Sequence, residues 1–288
     1  MTQGSLMKGS LRTHLKDNLE PNELRLLFTS YDIVGDIAII QVPETIKLRT
    51  QAIAKALLKT QKHVKSVLRQ ISPVAGDFRL RDLEWVAGEK KTETVYKEFG
   101  CLFKVDLERC YFSPRLSYER MRIAKLVQPN EVIVNMFAGV GCYSIIIAKH
   151  SRPEKICSID INPIAVQFLK ENARLNRVER QVLPILGNAK ETIEGRLRRI
   201  ADRVIMTLPE KAYEYIETAL QALKSRGGVI HYYDFEHSAN GENAIEKTRK
   251  KVSEKLEALG VNFDILSSRI VRTTGPNWHQ IALDIQTS

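Results

Sequence analysis

The sequence predicts an α/β protein in which a doubly wound sheet follows a small α+β domain. Segments of strand and helix character alternate from residue 131 to residue 286, which is typical of a parallel sheet covered by helices on both faces. A Gly-x-Gly turn, Gly139 to Gly141, lies between the first strand and the first helix of that series. The preceding residues mix short helical and strand-like segments. We therefore predict two domains, 1–106 and 107–288.

The first domain begins with a polar, helical pattern over the first 30 residues. Residues 31–43 are rich in β-branched residues on both sides of Gly35, which predicts a strand, a turn and a second strand. Apolar residues at helical spacing predict a helix over 46–60, with basic residues on its other face. Two further stretches, 64–71 and 92–106, have strand character.

The second domain begins with a helix whose start is marked by Ser113 as N-cap and Pro114 at the first helical position, and which runs to about Val127. The last two strands of the domain are joined through Gly275 to Asn277, which predicts a terminal antiparallel hairpin. The predicted elements between this helix and the C-terminus are 131–137, 142–150, 155–161, 163–176, 181–187, 190–200, 202–208, 210–225, 227–234, 241–259, 261–272 and 278–286.

Composition narrows the class of protein. The chain has 288 residues, enough for one large and one small domain, and its 43% hydrophobic content includes no apolar run of membrane length. The first five residues lack the charged and apolar regions of a signal peptide, so we expect a cytoplasmic protein. The four cysteines form no Cys-x-x-Cys pair, which indicates reduced thiols and offers no spacing for a zinc or iron–sulfur site.

Charge indicates a polyanionic partner. The net charge is +10, and the 32 residues from Thr45 to Gly76 contain seven basic residues and no acid, whereas the rest of the chain has 37 basic and 34 acidic residues. Either this segment is a solvated helix face or it contacts phosphates, and the length of the acid-free run favours phosphates. The seven residues are Lys47, Arg49, Lys55, Lys59, Lys62, Lys65 and Arg69.

The glycine turn predicts a nucleoside-binding site. Asp160 ends the second strand 21 residues after Gly139, close to the spacing of an acid that holds ribose hydroxyls. Tyr143 and Ser144 stand where the third glycine of a dinucleotide fingerprint would lie, which argues against NAD. The form Phe-Ala-Gly-Val-Gly is the one used for S-adenosylmethionine, which has no pyrophosphate. We favour such a site over a turn that only packs a strand on a helix.

Three polar clusters are candidates for the second substrate. Arg115 and Glu119 lie four residues apart and share a helical face, either in an active site or as an ordinary ion pair. Arg79 and Arg81 project to the same side of a segment predicted to be extended. Thr207-Leu208-Pro209 ends a buried strand at the sheet edge where doubly wound folds bind ligands.

Taken together, the motifs FRLRDLE, AGE, FSPRLxxER, MFAGVG, IDINP, VIMTLP and GGVIHYY resemble the archaeal and eukaryotic tRNA (guanine-N1)-methyltransferase family, from about Ser10 to the C-terminus. Members of that family methylate guanosine at position 37, beside the anticodon. The resemblance implies a class I methyltransferase sheet, S-adenosylmethionine as cofactor and the tRNA anticodon stem-loop as partner. It implies no metal and no membrane association, and we expect a monomer.

The resemblance also implies roles for individual residues. Glu119 matches the general base that removes the proton from guanine N1, and Arg79 matches the arginine that stabilises negative charge on O6. Tyr111 and Arg115 match positions that line the target site. The predicted catalytic residues are Glu119, Arg79, Arg115, Tyr111, Thr207 and Pro209. The predicted cofactor-binding residues are Phe137, Gly139, Gly141, Asp160, Ile161, Asn188, Ala189 and Leu208.

The sequence departs from the family pattern at three site positions. Asn135 replaces the acid usual at the end of the first strand, and Thr207 replaces an asparagine that holds the guanine edge. Asn188 stands where relatives often carry an aspartate for the adenine amine, which its side-chain oxygen could accept. Because the resemblance begins near the start of the chain, we expect a form without the family's additional N-terminal module.

Other functions stay open from the sequence. The aminocarboxypropyl transferase of wybutosine synthesis shares this fold and cofactor, although Glu119 and the Leu208-Pro209 pair argue against it. A catalytically silent RNA-binding relative would explain the three departures but not the intact Gly139 and Asp160. Methylation of a protein or small molecule is compatible with the fold alone.

Overall fold

The computed structural model describes residues 8–16, 18–28, 30–239 and 241–288. The chain divides into two compact units, residues 1–114 and residues 115–288, and each unit has its own hydrophobic core. The predicted α/β class is confirmed.

The first unit contains a small mixed sheet. Strands β1 to β4 form it in that order, with β2 and β3 parallel and the other neighbours antiparallel, while β5 and β6 form a separate antiparallel hairpin. Helix α3 makes the crossover between β2 and β3 and buries Ile53, Ala54 and Leu57. The elements are α1 (Lys8–Leu15), α2 (Pro21–Leu26), β1 (Asp32–Val34), β2 (Ile37–Ile40), α3 (Thr50–Thr60), β3 (Ser66–Gln70), β4 (Leu83–Gly88), β5 (Glu93–Glu98) and β6 (Cys101–Asp106).

The structure confirms some predictions for this unit and corrects others. The strand–turn–strand around Gly35 is confirmed, and a Cβ at Gly35 would lie 2.2 Å from the Thr94 hydroxyl, so only glycine fits there. The extended segment predicted around Arg79 is wrong: residues 76–79 form a turn in which Arg79 has a φ of +54°. The stretch 92–106 is a hairpin that turns at Phe99 and Gly100, and β4 was not predicted. The helical prediction over residues 1–7, 17 and 29 lies outside the described residues.

The second unit is built on a seven-stranded sheet in the order β12-β13-β11-β10-β7-β8-β9. The five strands β7 to β11 form a parallel part of the sheet, in which every neighbouring pair is parallel. Strand β13 is antiparallel to both of its neighbours, β11 and β12. The elements are α4 (Ser117–Leu126), β7 (Val132–Asn135), α5 (Cys142–His150), β8 (Lys155–Asp160), α6 (Pro163–Leu175), β9 (Val182–Leu186), α7 (Ala189–Thr192), β10 (Arg203–Met206), α8 (Ile216–Ala222), β11 (Gly228–His237), α9 (Ala244–Ala258), β12 (Phe263–Gly275) and β13 (Trp278–Thr287).

The predicted alternation and terminal hairpin are therefore confirmed, with local differences in the helices. Residues 114–116 form a 3₁₀ turn, so α4 begins at Ser117 rather than at Pro114; such turns are frequent at helix N-termini. Of the helix predicted over 210–225, only Ile216–Ala222 is α-helical. Residues 193–197 form a π-helical turn after α7.

The strand order indicates which edge of this sheet is expected to bind a ligand. From β7 the chain proceeds through β8 to β9 on one side and later returns to β10 on the other side of β7. The loops after the carboxyl ends of β7 and β10 therefore flank the point at which the strand order reverses, where open α/β sheets bind their ligands. The strands that lead to this edge belong to the hydrophobic core of the unit, which includes Val134, Met136, Val204 and Met206.

Leaving aside the undescribed residues, none of the helices combines the length and the hydrophobicity that a bilayer crossing requires.

Candidate functional site

The glycine turn between β7 and α5 has one open glycine and one packed glycine. Gly139 has a φ of +54°, and a Cβ built on it would meet no atom within 4 Å. Gly141 has a φ of +94°, and its Cβ would lie 2.5 Å from the Leu169 side chain. Both positions favour glycine by conformation, but only Gly139 leaves space beside the backbone for a ligand.

Asp160 lies against this turn. Its carboxylate accepts hydrogen bonds from the backbone N–H of Gly139 at 2.6 Å and of Asn162 at 2.9 Å. Burial raises the pKa of Asp160, although these backbone donors oppose the rise. The next residue, Ile161, is 45% exposed. The structure thus brings the predicted ribose-binding acid into contact with the predicted glycine, although the two residues are 21 positions apart in the sequence.

Asn188 caps a helix. Its side-chain oxygen accepts from the backbone N–H of Lys190 at 2.8 Å and of Glu191 at 3.4 Å, which starts α7 immediately after β9. An adenine amine would have to share that oxygen with the cap, so the predicted contact from Asn188 to adenine stays a prediction. Ala189, the first residue of α7, is buried.

The loop after β10 is tied to the glycine turn. The Thr207 hydroxyl donates to the backbone carbonyl of Phe137 at 2.7 Å. Because the hydroxyl proton is committed to that carbonyl, the Thr207 oxygen offers an approaching ligand lone pairs rather than a proton. Beside it, Leu208 is half-buried and Pro209 is buried, and the Phe137 ring packs edge-on against Tyr215 at 5.2 Å.

Asn135 belongs to a buried polar group beneath the turn. Its amide donates to the Ser144 hydroxyl at 3.1 Å, which also accepts from the Ser158 hydroxyl at 2.8 Å. All three residues are fully buried, and the Asn135 Oδ1 has no hydrogen-bond partner in the part of the chain that the structure describes. A neutral amide fits here because neither serine would offer a carboxylate the positive charge that a buried anion requires.

Glu119 on α4 is 2% exposed and is held by two partners that the sequence did not predict. The Arg122 guanidinium donates to both carboxylate oxygens, with the shortest contact, Nη2 to Oε1, at 2.7 Å. The Tyr233 hydroxyl donates to Oε1, also at 2.7 Å. Arg115, four residues before Glu119, lies on the 3₁₀ turn before α4 with an exposed side chain.

Tyr233 connects Glu119 to the glycine turn. Its ring lies 6.3 Å from that of Tyr143, a residue in the first turn of α5. Burial raises the pKa of Tyr143, and the negative charge of Glu119 raises it further. The Glu119 carboxylate is therefore within electrostatic reach of the helix that follows Gly141.

Behind Arg122 the charged contacts continue across the sheet. The Nη1 and Nη2 atoms of Arg122 donate to the Asp284 carboxylate on β13. Asp284 is also hydrogen-bonded to Nδ1 of His231 on β11. His231 contacts Arg203 on β10, and Arg203 pairs with Glu131 at 2.7 Å. These contacts join six side chains into one connected polar group, which we call the buried chain. Its members are Glu119, Arg122, Asp284, His231, Arg203 and Glu131.

Sequence reasoning missed every member of the buried chain except Glu119. A signal was present: His231 and Asp284 interrupt apolar strands, and a polar residue inside such a strand needs a buried partner. The partner of His231 is determined by the register between β11 and β13, which places His231 directly opposite Asp284, 53 residues away in the sequence. No local pattern specifies that register.

In the first unit, the structure brings Arg79 and Tyr111 together. The Arg79 guanidinium lies over the Tyr111 ring, 4.2 Å from its centroid, in a cation–π arrangement. Arg81 is directed elsewhere and donates to the Gln70 side chain at 3.1 Å. Two predicted target-site residues are thus neighbours, whereas the prediction that Arg79 and Arg81 project to the same side of an extended segment is wrong. Glu119 and Arg115 belong to the second unit.

The acid-free segment divides into paired and exposed cations. Arg69 is buried and bound to Glu84 at 2.8 Å, and Arg49 binds Glu23 at 2.8 Å, so these two do not act as free surface charges. Lys47 pairs with Glu44. The remaining four side chains are exposed and have no ion pair within the described ranges: Lys55, Lys59, Lys62 and Lys65. We call them the lysine surface.

Among the described residues, no group of three or more histidine, cysteine, aspartate or glutamate side chains could hold a metal ion. All four cysteines are buried thiols.

Comparison with known proteins covers both units. The TRM5/TYW2 methyltransferase domain matches residues 94–263, and the TYW2 N-terminal domain matches residues 11–92. The crystal structure of Trm5b from Pyrococcus abyssi is similar with a TM-score of 0.84 and 39% identity, over 96% of this chain and 80% of that one. The complex of aTrm5 and tRNALeu is similar with a TM-score of 0.83 and 37% identity, over 98% and 79%.

Curated relatives have three different activities. The chain is 42% identical over 271 residues to tRNA (guanine(37)-N(1))-methyltransferase Trm5b of Pyrococcus abyssi, covering 93% of this chain and 78% of that protein. It is 39% identical to tRNA 4-demethylwyosine(37)-methyltransferase Taw21 of Saccharolobus solfataricus, covering 89% and 93%. It is 36% identical to tRNA(Phe) (4-demethylwyosine(37)-C(7)) aminocarboxypropyltransferase of Methanocaldococcus jannaschii, covering 71% and 77%. The family predicted from the motifs is confirmed.

Proposed function

We propose that this chain, which belongs to the TRM5/TYW2 methyltransferase family, transfers a methyl group from S-adenosylmethionine to N1 of guanosine 37 in tRNA. The observation that carries the proposal is the Glu119 carboxylate, held by Arg122 and Tyr233 and linked through Tyr233 to the helix after the glycine turn. Methylation at N1 requires a base, and Glu119 is a carboxylate held in one orientation near the predicted cofactor loop.

The residues at this edge of the sheet fit S-adenosylmethionine. Gly139 leaves open space beside its backbone, and Asp160 at the end of the next strand offers carboxylate oxygens to ribose hydroxyls. Ile161 is exposed beside Asp160, where it can pack on an adenine face. When bound, the cofactor supplies an electrophilic methyl group on its sulfonium centre.

The chemistry assigned to the protein is removal of one proton and stabilisation of the charge that remains. Guanine N1 carries a proton at neutral pH, so its lone pair becomes nucleophilic only as that proton leaves for the Glu119 carboxylate. Negative charge then develops on O6, and we assign its stabilisation to the Arg79 guanidinium, whose orientation is set by the Tyr111 ring. The base must leave its loop to be reached, which costs less in single-stranded RNA than in a duplex.

A second candidate is methylation of 4-demethylwyosine at the same tRNA position. It is favoured by the similarity to Taw21, which covers 93% of that protein at 39% identity. Thr207 is compatible with this candidate, because the family asparagine that would hold the guanine edge is absent here and the Thr207 proton is committed to Phe137. Aminocarboxypropyl transfer remains an outcome of the test.

The experiment uses the full chain with S-adenosylmethionine and three tRNA substrates, bearing guanosine, adenosine or 4-demethylwyosine at position 37. Nucleoside mass spectrometry identifies the product, and the small-molecule co-product is measured in the same reaction. Methyl transfer releases S-adenosylhomocysteine, whereas aminocarboxypropyl transfer releases methylthioadenosine. N1-methylguanosine from the guanosine transcript supports the proposal, and modification of 4-demethylwyosine alone replaces it with the second candidate. Methylthioadenosine would overturn both.

A further inference from the structure

Arg122 bridges two carboxylates from different parts of the second unit. It contacts Glu119 through Nε and Nη2, and it contacts Asp284 through Nη1 at 2.5 Å and Nη2 at 3.1 Å. Burial alone would lower the pKa of Arg122, but the two carboxylates raise it above its usual value. The guanidinium therefore stays charged, and its plane is fixed from both sides.

His231 fixes Asp284 in turn, and the partners of its ring determine which nitrogen holds the proton. A guanidinium has only donors, so the His231 Nε2, 2.7 Å from Arg203 Nη1, must accept. The Nδ1 then carries the proton and donates to Asp284 Oδ1 at 2.5 Å. His231 is therefore neutral, which agrees with its lowered pKa, caused first by burial.

These contacts lie on one face of the sheet. Side chains alternate along β11, so His231 and Tyr233 point to one face, and Asp284 is directly opposite His231 on β13. Tyr232 and Asp234 point to the other face, where the Asp234 carboxylate accepts from the Tyr232 hydroxyl and Lys251. One strand thus carries a hydrogen-bond partner for Glu119 and, on its opposite face, the Asp234 carboxylate, which has no hydrogen bond or ion pair with Glu119 among the described residues.

We propose that Asp284, held by His231, is a positioning residue for the reaction: through Arg122 it keeps the Glu119 carboxylate in the orientation that accepts the N1 proton. The proposal rests on the proposed function of Glu119 as general base. Asp284 touches neither substrate nor cofactor in this role; it acts only on the guanidinium that holds the base.

The physical reason is orientation. A glutamate side chain has three rotatable bonds, and a base displaced by about 1 Å from the proton can lose about 100-fold in rate. Arg122 bound only to Glu119 could move together with it, whereas Arg122 also bound to β13 is anchored to the sheet. The anchor needs the charge of Asp284, because a guanidinium binds a carboxylate more strongly than it binds a neutral amide.

The test compares two isosteric substitutions, Asp284→Asn and Asp234→Asn. Single-turnover methylation by Asp284→Asn should fall about 10–100-fold, with affinities for S-adenosylmethionine and tRNA unchanged within about twofold. Asp234→Asn removes a buried carboxylate from the other face of β11 and should keep the wild-type rate within about twofold. Thermal unfolding of both variants shows that the compared proteins are folded.

The pH dependence of the rate gives a readout that a merely structural role would not change. Asp284→Asn leaves the Arg122 charge to Glu119 alone, so the rising limb of the pH–rate profile should move to lower pH. In the described part of the chain, Glu119 is faced by Arg122, Tyr233 and Tyr143, with Arg269 Nη1 3.9 Å from its Oε2 and Arg120 buried on the same helix. Asp284→Asn leaves all of these residues in place.

A double-mutant cycle decides whether Asp284 acts through Glu119. In the Glu119→Gln background, Asp284→Asn should change the residual rate by less than about twofold. Equal losses in both backgrounds, or equal rates for Asp284→Asn and Asp234→Asn, would overturn the proposal. If Asp284→Asn fails to fold, Arg122→Lys, which keeps the charge but cannot fork to two carboxylates, is judged by the same criteria.

Failure of the positioning role and failure of the proposed function give different results. If the wild-type chain forms no N1-methylguanosine, the proposed function is wrong. If it does and Glu119→Gln keeps the wild-type rate, the base is wrong and the positioning role falls with it. If Glu119→Gln is slow while Asp284→Asn is not, only the positioning role is overturned.

Discussion

The buried chain of the second unit and the lysine surface of the first unit use charge in opposite ways. In the buried chain every guanidinium has a carboxylate partner, as in Arg122 with Glu119 and Arg203 with Glu131. On the lysine surface four ammonium groups are exposed, with no ion pair in the described part of the molecule.

The difference follows from the environment of the charges. Desolvation of a buried ion costs several kcal/mol, so such an ion is found paired and held in one geometry. An exposed lysine keeps its hydration shell and therefore has no such desolvation cost. A neighbouring charge in turn stabilises it very little. Buried charge therefore serves orientation, whereas unpaired surface charge serves a partner with many negative groups, which agrees with a family that modifies tRNA.

The largest expected effect is on Glu119, the proposed base at the end of the buried chain. Glu119→Gln keeps the shape and part of the hydrogen bonding but removes the basicity. Single-turnover methylation of tRNA should fall about 10²–10⁴-fold with little change in tRNA affinity. Glu217→Gln is a matched control, because that glutamate is exposed and pairs with Lys255. A near-normal rate for Glu119→Gln would leave it as a structural ion partner of Arg122.

The next effect concerns stability and separates buried from partly exposed pairs. Arg203→Met leaves Glu131 without its cation and His231 Nε2 without its donor, so the free energy of unfolding should fall by about 3–5 kcal/mol. Lys224→Met removes a partly exposed partner of Asp202 and should cost about 1 kcal/mol or less. Denaturant unfolding measures both, and equal losses would contradict the distinction between buried and exposed charge.

The lysine surface should affect RNA binding alone. Replacing Lys55, Lys59, Lys62 and Lys65 by alanine should flatten the dependence of tRNA affinity on salt, by about 0.7–0.9 in log–log slope for each phosphate that the variant no longer neutralises. The same four positions changed to arginine keep the charge and should keep the slope. Affinity for S-adenosylmethionine should not change in either variant. An unchanged slope in the alanine variant would make the lysine surface an ordinary solvated face.

The smallest effect is a pH dependence of stability that comes from His231. Its pKa in the folded protein lies below the ordinary value of 6.5, so the unfolded chain takes up the proton first. Stability should therefore fall as pH decreases below about 6.5, by up to about 1.4 kcal/mol per pH unit for this one proton. The slope should disappear in His231→Gln, measured by denaturant unfolding between about pH 7.5 and 5, on either side of the ordinary histidine pKa. A wild-type slope in that variant would assign the effect to other groups.

Much of the second unit could be predicted because its elements are short and locally encoded. The helix predicted over 142–150 has those bounds in the structure, and the strand predicted over 155–161 is one residue shorter. Asp160 and Gly139 could be placed together because a β–turn–α–β unit forces the end of one strand beside the loop of its neighbour.

Predictions failed where local conformation depends on contacts remote in sequence. Arg79 was expected in an extended segment, but it lies in a turn with positive φ, over the ring of the distant Tyr111. The charge pattern predicts Arg69 as part of a phosphate-contacting surface, but the pairing of β3 with β4 puts it beside Glu84.

The sequence by itself determined the fold class, the glycine turn, the acid that faces it and the methyltransferase family, because each depends on residues within one short supersecondary unit or one motif. Only the tertiary structure decided what holds Glu119. Its partners are three residues away on α4 and 114 residues away on β11, and Asp284 is 162 residues from Arg122. Those contacts exist because β13 pairs antiparallel with β11 in one register, and a shift of a single residue would turn Asp284 to the opposite face.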